Sequence, residues 1–176
     1  MINLFDTNLK KAVLLIALSL LIFVLWQKGL ETSYQKSLVN LTNKVLKITD
    51  KDTRLTVETD NGETYFMVYT RVNGQRASFP QETGSLLEPF IIVLSWQIFM
   101  FFVINFKKAF KLFLINTVVF VLIQMLFLIF LTNFYSSEVQ KFLYNMMKDS
   151  FYIVALILVI KDNMLYPVFF TKDIQE

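Results

Sequence analysis

Twenty consecutive residues from Leu112 to Leu131 carry no charged side chain. A run of that length is what an α-helix needs to cross a hydrocarbon layer about 30 Å thick. Inside lipid every backbone N–H and C=O must be paired within the segment, so a helix is the structure such a run can take there. Three more apolar blocks accompany it: Ala12 to Trp26, Pro89 to Phe106, and a shorter one from Phe151 to Ile160. They raise the hydrophobic content of the 176 residues to 55% and hold charged residues to 18%. Soluble domains run at about 45–50% and about 25%. The expected fold is an all-α membrane protein of four transmembrane helices. A small extracytoplasmic α+β insertion, one helix plus a three-stranded antiparallel meander, falls between spans one and two. The parts are a signal-anchor helix at 1–30, the insertion at 31–88, and three further spans with short loops at 89–176.

The first block follows Lys10-Lys11, as a secretory signal would. Gln27-Lys28-Gly29-Leu30-Glu31 offers no small-x-small cleavage site, which favours an uncleaved signal anchor. Pro89 suits the first turn of span two. Span four is predicted at 147–167, because its uncharged core is too short alone. The pairs Lys148-Asp149 and Lys161-Asp162 are then expected near the two interfaces, where lysine can snorkel. With the N-terminus in the cytoplasm, the inner segments (1–11, 107–111 and 161–176) hold seven basic residues in 32, Lys172 among them. The outer segments (27–88 and 132–150) hold ten in 81, matched by ten acids. The excess marks the cytoplasmic side, most clearly at a predicted Lys107–Lys111 turn. Both termini are therefore expected in the cytoplasm, with the protein multi-pass in the membrane. The net charge of +3 becomes a topology signal rather than a mark of nucleic-acid binding.

In the insertion, Tyr34, Leu38, Leu41, Val45 and Ile48 recur at helical spacing, with Lys36, Asn40, Asn43, Lys44 and Lys47 opposite. Asn61-Gly62 and Asn73-Gly74 are hairpin signals, and strands are expected at 53–59, 63–72 and 75–79. The helix either covers the sheet or lies on the membrane surface. Tyr65, Met67, Tyr69 and Arg71 alternate with Phe66, Val68, Thr70 and Val72. One set meets the helix, and the other is more apolar than a solvated face requires, as a partner-binding surface would be.

Neither Cys nor His occurs in the chain. Disulfides, thiol nucleophiles, Cys/His zinc sites and imidazole acid–base catalysis are excluded, and no cofactor is expected. No phosphate-binding glycine loop or hydrolase elbow is present. Ser150 with Lys148 would be a nucleophile and base, but residues two apart on a helix point to different sides. A catalytic, metal or cofactor site is thus not predicted. A transporter acting alone is disfavoured, since all four glycines lie in the outer segment 27–88 and no charge falls mid-way along spans one to three. Ser95, Gln97, Asn116, Thr117 and Gln124 are the polar residues of spans two and three. Such amides either bond one another within the chain or meet a helix of another subunit. Trp26 is expected in the interfacial aromatic belt, and Trp96 within the bundle.

The order of these parts resembles a known group. A signal anchor leads into a helix-plus-strand segment, the chain re-enters at Leu86-Leu87-Glu88-Pro89-Phe90, and a last span follows Tyr144 to Ser150. This is similar to the small membrane proteins associated with bacterial exosortase systems, which accompany a multi-span cysteine transpeptidase. The likeness is one of architecture over nearly the whole chain, so it carries no functional residue with it. It implies a non-catalytic accessory or assembly subunit in a protein-sorting or envelope system. Its partners would be the lipid bilayer and a larger multi-span membrane protein, with no nucleic acid. The candidate contact residues are Tyr65, Met67, Tyr69, Arg71, Gln97, Asn116 and Gln124. A small transporter or lipid-handling protein is the alternative.

Overall fold

A computed structural model describes residues 7–49, 52–60, 63–72, 74–82 and 84–169. In chain order the elements are α1 (Asn8–Leu25), a π-helical turn at Trp26–Leu30, and α2 (Glu31–Thr49). Strands β1 (Arg54–Asp60), β2 (Glu63–Val72) and β3 (Gln75–Glu82) follow. The rest is helical: α3 (Gly84–Leu87), α4 (Pro89–Val103), α5 (Phe106–Thr132), α6 (Glu138–Met147) and α7 (Phe151–Leu165). Among the described residues, three helical stretches are long and apolar enough to cross a membrane, or up to four if α6 and α7 count as one bent span. Expectations resting on residues 1–6 and 170–176, Lys172 among them, lie outside the described residues.

Local chemistry sets the helix limits. Thr7, Asn105 and Ser137 each accept a hydrogen bond from a backbone N–H in the first turn of α1, α5 and α6. Pro89 opens α4, where its missing N–H costs nothing. The expected turn at 107–111 is in fact helix. Asn105 caps α5 just ahead of it, so the lysines occupy the first turns and the connection shrinks to Ile104-Asn105. The single span predicted at 147–167 is also corrected. The helix breaks at Lys148-Asp149-Ser150, where the Ser150 N–H bonds the Met147 carbonyl at 2.9 Å and its hydroxyl takes the Met146 carbonyl. α6 and α7 consequently meet at 54°. α7 stops before Tyr166-Pro167, because proline disfavours helix in the residue ahead of it.

The sheet is an antiparallel meander in the order β1-β2-β3. Leu55 pairs with Val68 and Val68 with Phe79, so the inner face presents Leu55, Phe66 and Val68. α2 covers that face, and Leu38, Val39 and Leu46 are buried with those strand residues in one core. Full burial of side chains of this size contributes about 1.5–3 kcal/mol each. The buried stripe is turned from the one the periodicity suggests. It runs Gln35, Leu38, Val39, Thr42 and Leu46, while Leu41 is 42% and Ile48 85% exposed. Gln35 and Thr42 can be buried because they are bonded, Gln35 to Thr64 and Thr42 to the Leu38 carbonyl. Asn43, expected on the polar face, reaches the free edge of β1. Its amide donates to the Leu55 carbonyl at 2.8 Å and accepts from the Leu55 N–H at 2.9 Å. β3 continues past the expected end at 79 to include Pro80, which is tolerated on an edge strand where no partner needs its N–H. Of the two turn signals, Asn61, Gly62 and Asn73 lie outside the described residues, and Gly74 has φ +80°.

The bundle core is aromatic. Tyr34 stacks on Phe90 at 4.3 Å, Phe90 on Phe120 at 5.6 Å, and Phe127 meets Phe151 edge-on at 5.1 Å. Trp26 belongs to this core and not to an exposed belt: it is buried, 5.8 Å from Tyr34 and 6.3 Å from Phe90. The cause is the break at Gly29, whose φ of +114° interrupts the helix and aims α2 so that Tyr34 packs over Trp26. α1 lies against α4, and Leu14, Leu15 and Leu18 pack on the Trp96–Phe99–Met100 cluster. The two described ends of the chain meet: Lys11 Nζ donates to the Val168 carbonyl at 2.8 Å and Asn8 to that of Phe169 at 2.9 Å.

Candidate functional site

Strand alternation divides the sheet into a covered face and an open one. The open face carries Arg54, Thr56, Glu58 and Asp60 from β1, Tyr65, Met67, Tyr69 and Arg71 from β2, and Arg76, Ser78, Pro80 and Glu82 from β3. Tyr65, Met67 and Tyr69 are half-buried by their neighbours, and Arg71 is exposed. The register sorts charge along the face. Arg54, Arg71 and Arg76 gather at one end, and Glu58, Asp60 and Glu82 at the other.

Tyr69 sits at the join and is held from both sides. Its hydroxyl donates to Glu58 at 2.8 Å, and the Arg54 guanidinium lies 4.8 Å from its ring centre. The hydrogen bond to Glu58 pushes the phenol above its ordinary value, since only the protonated form can donate. Thr56 donates to the same Glu58 oxygen at 2.9 Å. The ring is thus fixed, with an amphipathic flank turned to solvent, which suits recognition of another surface.

Of the candidate contact residues, Gln97, Asn116 and Gln124 are fully buried. Each bonds within the chain, so they give no surface to a second subunit in this fold. Gln124 accepts a hydrogen bond from the Tyr34 hydroxyl and donates to the Leu86 carbonyl at 2.6 Å, tying α2, α5 and α3 together. Gln97 and Asn116 do not bond each other. Both donate to the same Asp162 oxygen, at 2.7 and 2.6 Å. Lys161 completes the group, donating to Asn116 Oδ1 at 2.6 Å and lying 3.1 Å from the other Asp162 oxygen. Asp162, expected at the polar end of a span, is 0% exposed within the protein and joined to α4 and α5. Lysine adjacent in sequence supplies its counter-charge, which is how a carboxylate survives burial. Lys148 and Asp149, in contrast, are exposed at the α6–α7 break.

The Asp162 node was missed by sequence reasoning although a signal existed. Phe151, Ala155, Leu158 and Asp162 follow steps of four, three and four, and all four are buried. Arg76 was also missed. Its position opposite Arg71 follows from the Asn73-Gly74 turn once a two-residue hairpin is drawn. Among the described residues no group of three or more acids converges as a metal site. An apolar cleft of about 560 Å³ lies between α4 and α7, bordered by Trp96, Val159, Met164 and Phe169. No family model matches the chain, and no curated protein or solved structure matches it.

Proposed function

We propose that the chain is a non-catalytic integral membrane subunit that docks on a larger multi-span membrane partner, in an exosortase-type sorting or envelope system. The observation that carries this reading is the open face of the sheet. Three large side chains, Tyr65, Met67 and Tyr69, stand in a row with Arg71, opposite the face that α2 already covers. A solvated sheet face needs no such row, whereas an interface is enriched in Tyr, Met and Arg.

The anchoring reading has its own support. α1, α4 and α5 have the length and composition of spans, and the bent α6–α7 pair supplies a fourth. Outward-facing Val13, Ile16, Leu20, Leu122, Ile153 and Leu156 suit contact with lipid. Asn8 and Lys11 meet Val168 and Phe169, which accords with both termini on one side, the cytoplasmic side by the lysine bias. The sheet then lies outside the cytoplasm of the bacterial inner membrane.

Purification of the tagged chain from its native membrane in mild detergent tests the proposal. A stoichiometric multi-span protein should accompany it, and Tyr69→Asp should abolish that co-purification while the variant elutes and melts like the parent. Unchanged co-purification overturns the role of the face. The apolar cleft beside Trp96 and Phe169 favours a second reading, lipid handling. A chain that purifies alone with a tightly held lipid would establish it instead.

A further inference from the structure

Arg54, Arg71 and Arg76 line a groove of about 380 Å³ at one end of the open sheet face, together with Asp52, Tyr69, Thr70 and Ala77. The β2–β3 register sets Arg71 directly opposite Arg76. Like charges facing each other across a strand pair are destabilising, so this pairing calls for a counter-charge. Asp52 supplies part of it, 3.3 Å from Arg71. Arg76 takes part in no ion pair among the described residues. Arg54 is held over the Tyr69 ring, which orients its guanidinium without neutralising it. The described lining of the groove therefore holds three cationic groups against one carboxylate, an excess of two positive charges.

We infer that this groove binds a phosphoryl group carrying about two negative charges, as a phosphate monoester or a diphosphate does. Guanidinium forks match phosphate oxygens in pairs, and one arginine here is already braced by an aromatic ring. The acidic far end of the face, Glu58, Asp60 and Glu82, repels an anion and confines it to the arginine end. The same chemistry can come from a soluble or partner-borne phosphoryl group or from a lipid headgroup, since Phe79 of β3 packs on Tyr135 just past the end of α5.

The inference shares Tyr69 and Arg71 with the proposed docking face but does not need a protein partner, so each can fail alone. The test is calorimetric titration of the full-length chain in neutral detergent with pyrophosphate, at low ionic strength in a phosphate-free buffer. Saturable binding is expected, weakened ~10-fold or more by Arg76→Ala, as loss of one charge-assisted contact predicts. Arg54→Gln should weaken it as well, and Lys111→Ala, on α5 and outside the lining, should not. Absence of saturation at millimolar pyrophosphate, or an affinity unchanged from the parent's in Arg76→Ala and Arg54→Gln, overturns the site. Repeating the titration in bilayer discs fixes the source. Equal affinity in phosphatidylcholine discs and in discs that also carry phosphatidic acid, a phosphate monoester, points to a soluble or partner-borne source, and competition by phosphatidic acid points to a lipid headgroup.

Discussion

At the scale of single residues, Asp162 shows how a charge is made compatible with an apolar bundle. One of its oxygens takes hydrogen bonds from both Gln97 and Asn116 and the other faces the ammonium of Lys161, so three helices share one carboxylate. Removing the acid leaves two amides and a lysine without their acceptor, a larger loss than any one contact. Asp162→Ala should destabilise the bundle by about 3–5 kcal/mol. Asp162→Asn, which keeps an acceptor, should cost clearly less. Reversible unfolding in mixed detergent micelles measures both. Little of this was legible beforehand. Lys161-Asp162 reads as the polar end of a span because sequence shows the lysine beside it and not the amides 65 and 46 positions away.

At the scale of elements, sequence was most informative where short-range rules dominate. β2 has the limits that alternation and the two Asn-Gly pairs predict, and β1 is displaced by a single residue. It was least informative where bonded polar groups take core positions. The stripe of α2 turns because Gln35 and Thr42 are satisfied inside, and an apolar count cannot anticipate that. Pro80 similarly looked like the end of a strand, since an edge position is known only after the sheet is assembled. The junction of α1 and α2 gives a prediction at this scale. Gly29 adopts φ +114°, and a Cβ built there meets nothing within 4 Å, so any penalty for Gly29→Ala is conformational and not steric crowding. The expected loss is about 1–3 kcal/mol. Hydrogen exchange should show faster opening at Trp26 to Tyr34, while protection in β2 is unchanged.

At the scale of the whole molecule, the helices form a bundle and the sheet a module held on it through α2 and the end of α5. Phe79 packs edge-on against Tyr135 at 4.8 Å, just past that end. The absence of cysteine makes the proposed orientation directly measurable. A single cysteine at Ser78 should react with a membrane-impermeant maleimide in intact spheroplasts, and one at Asn105 only after lysis. The reverse pattern would turn the molecule over. Both borders of the sheet have a further consequence. Asn43 occupies the β1 border at Leu55, and Pro80 leaves the β3 border without an N–H at that rung. Neither margin offers an unbroken hydrogen-bonding ladder for a strand from a neighbouring molecule. In the proposed membrane placement, confinement to a plane brings copies of the chain into frequent collision, and an intact margin would then seed end-to-side polymers. Interrupted on both sides, the module can be crowded in two dimensions and stay discrete.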